Sequence, residues 1–288
     1  MKNYTDFVKT IIESFKEAET LPLKSVDSVF DLCKVTGSNA LENRNVLVFA
    51  PHPDDECIIG LLPLRLMLEA NANIIDVAVT LGSKVERRKG RLEELTQACN
   101  FLNWDLRVCG NNGFDNIRLK TREDNLSYWN ECVSELASII EETQPAIIFM
   151  PHIDDWNATH IGTSKLVSDA VEKSRYNGVV INTEYWGGIK VANLMVEATE
   201  EHIAALMEAV ARHVKEVERN DYHLRLPFWM GDNVCRGAEL VGGQGAEAPH
   251  FKFATLYNLQ FFKDGIWQQP YKSRFLHDSE NTANILKF

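Results

Sequence analysis

Two rhythms of apolar and polar positions run along the chain. Short, mostly apolar runs recur at Val46 to Ala50, Ile74 to Thr80, Leu106 to Cys109, Pro145 to Met150 and Val179 to Thr183, the first of them wholly apolar. Runs of that length and composition read as buried strands. Between them lie stretches with apolar residues at helical spacing. Glu86 to Leu102 places Leu92, Leu95, Cys99 and Leu102 on one face, and Cys57 to Ala70, Leu126 to Glu142 and Thr159 to Lys173 also read as helices. Phe7, Ile11, Ile12 and Phe15 predict an N-terminal helix, and a polar, loop-like segment follows to about Asn45. The strand–helix alternation predicts an α/β fold: a Rossmann-like, doubly wound, mostly parallel sheet with helices on both faces.

The last third has a different texture. Ile203, Leu206, Met207, Val210, Val214 and Val217 predict one amphipathic helix over Thr199 to Asn220, with His202 and His213 at its surface or edge. Irregular sequence is expected beyond it, with Gly242-Gly243-Gln244-Gly245 as a mobile loop. That glycine run lacks the Lys-Ser/Thr of a phosphate loop. Phe251 to Phe262 alternates and predicts an edge strand or hairpin. No linker separates these parts, so residues 1–288 are expected to form one domain with its core at about 45–185.

Two of the apolar runs stop at Pro-His followed by acids. The first continues as Pro51-His52-Pro53-Asp54-Asp55-Glu56, and the later one as Pro151-His152-Ile153-Asp154-Asp155-Trp156-Asn157-Ala158-Thr159-His160. In a parallel sheet the carboxyl ends of strands share one edge, where ligands bind. Both clusters should therefore converge despite their separation in sequence. Proline on each side of His52 stiffens the turn. Acids at a helix start are ordinary capping chemistry, but capping does not account for the histidine. His52, one of Asp54 or Asp55, and His160 make two histidines and one carboxylate. That set suits a catalytic zinc with an open position, and equally Fe(II), so the residues alone leave the metal open. Zinc would bring the pKa of its water to about 7, and the remaining carboxylate could serve as general base.

Composition narrows the partners. The formal net charge of −11 argues against nucleic acid and anionic membrane surfaces. No apolar run approaches the length of a membrane span, and the first residues lack the apolar region of a signal peptide. The six cysteines form no CxxC pair and read as reduced core residues of a cytoplasmic protein. Nothing in the sequence specifies whether the chain forms a homo-oligomer.

The order of these motifs resembles the LmbE-like (PIG-L) de-N-acetylases over roughly residues 45–175. The resemblance rests on His52-Pro53-Asp54-Asp55-Glu56 after the first strand and Thr80-Leu81-Gly82 after the second. It also rests on Arg91-Leu92-Glu93-Glu94-Leu95 on the second helix and on a histidine opening the later helix. It implies a zinc hydrolase that removes acetyl from an N-acetylated amino sugar or conjugate. It further implies zinc on His52, Asp55 and His160, Asp54 as general base, Arg91 against an anionic or hydroxyl part of the substrate, with a salt bridge to Glu94 or Glu86 as its alternative role, and Glu56 in support of the turn.

One departure stands out. Where the family has His-Pro-Asp-His, this chain has Asn157-Ala158-Thr159-His160. Asn157 can donate a hydrogen bond to an oxyanion but cannot act as general acid. That leaves Asp54, His152, Asp154 or Asp155 to protonate the leaving amine, or leaves catalysis impaired. Trp156 and Tyr185 are candidates to stack on a sugar, with ordinary packing as the alternative for each. A metal-assisted ester hydrolase and a sugar-binding protein of the same fold are the competing readings.

Overall fold

The computed structural model describes residues 3–23, 32, 37–270 and 272–286. Residues 24–31 and 33–36 of the polar segment before Asn45, Cys33 among them, lie outside them. Helix α1 spans Tyr4–Ala18. Then follow β1 (Asn45–Ala50), α2 (Asp55–Ile58), α3 (Leu61–Ala70), β2 (Asn73–Ala78), α4 (Val85–Leu102), β3 (Asp105–Val108), α5 (Leu119–Asp124), α6 (Leu126–Thr143), β4 (Ile147–Pro151), α7 (Ala158–Lys173) and β5 (Gly178–Thr183). The last third adds β6 (Leu194–Glu197), α8 (Glu200–Ala211), α9 (Val214–Val217), α10 (Tyr222–Gly242), β7 (Ala254–Lys263), β8 (Ile266–Gln268) and β9 (Arg274–Leu276).

Among the described residues these strands form one sheet, ordered β3-β2-β1-β4-β5-β7-β6-β9, with β8 paired to β7. The pairs from β3 through β5 are all parallel. Strand β7 runs antiparallel to both β5 and β6. Alternation along β1 separates the two faces. Val46 and Val48 pack with Leu61, Leu62, Leu95, Leu102 and Leu206. Leu47 and Phe49 pack with Leu136, Ile140, Leu166 and Val167. Helices α3, α4 and α8 therefore cover one face, and α6 and α7 the other. The chain leaves β1 in one direction for β2 and β3, then returns to β4 on the other side of β1. That reversal is the topological switch point, where open α/β sheets bind ligands.

Four expectations are corrected. The helix from Cys57 to Ala70 is broken between α2 and α3. A Cβ at Gly60 would stand 2.7 Å from the Glu56 carbonyl oxygen and 3.0 Å from Leu206, so the break lets backbone and neighbouring helix approach closely. The helix from Thr199 to Asn220 ends at Ala211 and restarts at Val214. His213 sits in that break and is buried, not at the surface. The stretch expected to be irregular contains α10, 21 residues long, with Pro227 inside it and Gly242 as its last residue. Strand β7 is an interior strand; its far end also forms a hairpin with β8.

The four described cysteines in the core, Cys57, Cys99, Cys109 and Cys132, are buried and free, while Cys235 is free and exposed. No helix among the described residues is long and apolar enough to cross a membrane.

A histidine at the start of α8 ties stability to pH. The Nδ1 of His202 accepts the backbone N–H of Thr199 at 3.3 Å, and the Thr199 hydroxyl accepts the backbone N–H of His202. Protonation would abolish that acceptor. Burial, followed by the charge of Arg65, brings the His202 pKa down to about 4. The folded state thus excludes a proton that the unfolded chain binds below about pH 6.5. The contribution is fully present above pH 6.5 and is lost as the pH falls toward 4, by a total of about 3 kcal/mol. Urea titrations of the wild type and His202→Gln at pH 7 and pH 4.5 check this. The variant should lose clearly less stability between the two, and equal losses would refute the assignment.

Candidate metal centre and active site

The three side chains that sequence reasoning brought together do meet in space. His52 lies just past β1, Asp55 opens α2, and His160 lies in the first turn of α7. His52 Nδ1 is 3.2 Å from His160 Nε2. Asp55 Oδ2 is 3.3 Å from His52 Nδ1 and 3.2 Å from His160 Nε2. The three donor atoms thus form a nearly equilateral triangle. A tetrahedral ion with bonds of about 2.0–2.1 Å separates its ligands by about 3.3–3.4 Å. Asp55 Oδ1 is buried without a hydrogen-bond partner. Edge length, donor type and an unpartnered carboxylate oxygen all fit a divalent cation.

The electrostatics agree. Burial works against ionisation of Asp55, but His160 and His52 outweigh it and hold the carboxyl below its ordinary range. Burial also works against protonation of His160, yet Asp55 and Asp155 push its pKa up to about 9. The cluster draws positive charge to this point. Behind it, Asp155 Oδ2 lies 3.4 Å from His160 Nδ1, the place of an outer carboxylate that orients a ligand histidine. The Tyr185 ring meets the His160 ring edge-on, with centroids 4.7 Å apart.

Asp54 is held beside the triangle by strained backbone. Its φ of 111° is a conformation that side-chain-bearing residues rarely adopt. The strain is supported by Glu56, whose Oε2 accepts the Asp54 N–H at 2.8 Å. Glu56 Oε1 is in turn 2.8 Å from His213 Nε2. Burial, then the charge of Asp55, raises the Asp54 pKa well above the carboxylate range. Arg91 from α4 donates to the Pro53 carbonyl at 2.8 Å and lies 3.9 Å from Asp54 Oδ2. Gly82 makes room for it: a Cβ there would stand 2.4 Å from Arg91 Nη1, and its φ of 88° favours glycine as well.

Asn157 has a local reason to be where it is. It is the N-cap of α7, and its Oδ1 accepts the N–H groups of Thr159 and His160. Its Nδ2 remains for the cavity, which it lines with His52 and Asp54. Trp156, exposed, lines the same cavity, whose volume is about 370 Å³. Tyr185 does not line this cavity; it borders an adjoining apolar slot with Ile58, Trp186, Tyr222, Leu226 and Trp229. His152 is turned away, its Nε2 2.9 Å from the Gly187 carbonyl. Asp154 is half exposed and paired with Lys190.

Sequence reasoning missed the contribution of the last third. His213, Glu216, Arg219 and Tyr222 reach the site from the break around α9 and from the start of α10. They follow no recognisable motif, and helical periodicity placed His213 at the surface or edge of its helix. Trp186, Lys84 and Arg87 also line the cavity.

The sequence match points to a class, the hydrolytic deacetylases that act on an amide bond. Residues 47–171 match the family described as PIG-L: GlcNAc-PI de-N-acetylase, a stretch of somewhat less than half of the chain. No curated protein sequence matches the chain. Among solved structures it is similar to the N,N'-diacetylchitobiose deacetylase of Pyrococcus horikoshii, at 17% identity and a TM-score of 0.55. That match covers 75% of this chain and 83% of the other. The teicoplanin deacetylase Orf2 matches at 13% identity and a TM-score of 0.54, over 76% and 99% of the two chains. GalB, the 4-carboxy-2-hydroxymuconate hydratase of Pseudomonas putida KT2440, matches at 14% and 0.52, over 75% and 95%. At these identities the likeness is one of fold.

Proposed function

We propose that the chain is a zinc-dependent de-N-acetylase of an acetylated amino sugar or sugar conjugate. The observation that carries this reading is the triangle of His52, Asp55 and His160 at the switch point, with Asp54 beside it. Those three residues would hold the cation, which when bound acidifies water and polarises the acetamide carbonyl. The family match supports an amide substrate. Two histidines and one carboxylate with a position left open suit a catalytic zinc, and the Orf2 structure is described as a zinc-inhibited form of that deacetylase.

The protein's own groups then have separate tasks. A cation held at Asp55 would offset the charge that raises the Asp54 pKa and leave its carboxylate ionised, and Asp54 then takes the proton from the attacking water. Asn157 Nδ2 donates to the oxygen that gains charge as the carbonyl carbon becomes tetrahedral. Asp54 passes the proton to the leaving nitrogen as the C–N bond breaks, so acetate and free amine are released. Asn157 cannot supply that proton, and His152 and Asp154 do not line the cavity. Asp155 keeps His160 in place, and Glu56 with His213 holds the strained turn. Arg91 and Trp156 shape the substrate side, and Tyr185 acts through the ring of His160.

Metal analysis of the purified protein, combined with acetate release from a panel of acetylated amino sugars and matched esters, tests the reading. About one zinc per chain is expected, with amides preferred to esters, and His160→Ala should lose both metal and turnover. Absence of bound metal after zinc addition would overturn it. So would a zinc-loaded protein that releases acetate from none of the sugars.

A further inference from the structure

Four cationic side chains line the cavity in a chain whose net charge is −11. Arg87 and Arg91 stand four residues apart on α4, Lys84 caps that helix, and Arg219 follows α9. All four line the cavity. Three of them converge on one buried carboxylate. Glu216 Oε1 accepts Arg87 Nη2 and is 3.6 Å from Arg91 Nε, while Oε2 accepts Arg219 Nη2. The other carboxylate of the cavity is Asp54. Four cations thus face two acids.

A single carboxylate cannot neutralise three guanidinium groups. It can hold them in fixed geometry, each with donors left over. Arg87 and Arg219 are the outer pair: their side chains are 32% and 60% exposed, against 12% for Arg91. Arg91 is occupied at the Pro53 carbonyl and Asp54. Lys84 is exposed, and no acid pairs with it among the described residues. A planar, pre-oriented fork of guanidinium donors is the arrangement that recognises phosphate or carboxylate. Beyond Trp186 and Tyr222, which line both spaces, the adjoining slot is mostly apolar, with Asp55 and Arg225 as its charged members.

We propose that Arg87 and Arg219, held by Glu216 and joined by Lys84, form an anion subsite, and that the substrate carries a phosphate or carboxylate besides its acetamide. The substrate class rests on the deacetylase reading; the subsite itself does not. Inorganic phosphate and acetate, titrated calorimetrically into the zinc-loaded protein, probe it without turnover. Arg219→Gln and Arg87→Gln are each expected to weaken anion binding by at least about tenfold, the loss of one charge-assisted bond. Tighter phosphate binding would assign a phosphate ester, and tighter acetate binding a carboxylate. Anion binding unchanged in both variants would place the anion at the metal instead and overturn the subsite.

In parallel, kcat/KM for N-acetylglucosamine is compared with that for N-acetylglucosamine 1-phosphate and for a carboxylate-bearing glycoside. A preference for a charged sugar that Arg219→Gln reduces through KM supports the proposal. Equal values for all three sugars would overturn it while leaving deacetylation intact. Anion binding that the variants weaken, in a protein that deacetylates nothing, would keep the subsite and sink the deacetylase reading.

Discussion

Asp54→Asn is expected to lower kcat for acetate release by about 10²–10⁴-fold, the range for loss of a positioned general base, while zinc content stays at the wild-type level. The substitution keeps side-chain volume and removes only the capacity to take a proton. Backbone placement should survive, because the Asp54 N–H bonds to Glu56 Oε2 whatever the side chain. The remaining acids are poor substitutes. Asp55 belongs to the donor triangle, and Asp155 is buried against His160. Asp154 points to Lys190 at the surface. Glu216 lines the cavity but is engaged by three arginines. Turnover within a few-fold of wild type in a metal-replete Asp54→Asn protein would remove Asp54 from the mechanism. A simultaneous loss of zinc would instead make Asp54 a ligand.

The parts of the site legible in the sequence are those that a strand end dictates. A buried strand must be apolar, so His52 and the acids after it stand out where β1 stops. The same contrast marks the stretch leading to His160. The parallel strands β1 to β5 were legible for the same reason, since both of their faces are covered by helices. Their bounds shift by only a residue or two.

What escaped reading lies where local pattern and tertiary role diverge. Val210, Val214 and Val217 keep helical spacing through the break at Arg212-His213, so periodicity ran on where the backbone did not. His213 turns inward there because Glu56, a buried acid with two oxygens to satisfy, lies opposite it. That pairing spans 157 residues, a separation that no local pattern reports. In α10, Pro227, Gly231 and Gly237 read as breakers. Gly237 instead permits close packing: a Cβ there would stand 2.4 Å from Leu256 and 2.5 Å from Met195. Strand β7 reads as an edge because its aromatic alternation differs from the solid apolar runs. It is an interior strand, and its partner β6 is one of the shortest in the sheet.

Arg65→Met is expected to destabilise the protein by about 3–5 kcal/mol, the scale for removing one member of a buried ion pair. Arg65 is fully buried on α3. Its Nε donates to Glu69 at 2.6 Å, Nη1 to the Glu197 carbonyl at 2.8 Å, and Nη2 to the His277 and Glu280 carbonyls at 2.8 and 3.0 Å. One guanidinium thus ties α3 to the end of β6 and to the segment after β9. Methionine fills much of the volume but leaves those carbonyls without donors in the interior, each worth about 1–3 kcal/mol when unpaired. Arg65→Lys should recover only part of the loss, because a single ammonium cannot reproduce a planar fork. Urea denaturation of the three proteins reads the effect as a shift in midpoint. Below the transition the methionine variant should still bind zinc at the wild-type level, since α3 supplies no donor to the triangle. A loss under about 1 kcal/mol would mean that water or relaxed backbone satisfies the carbonyls. A loss of zinc binding in the folded variant would mean that the clamp positions α2 as well as the sheet.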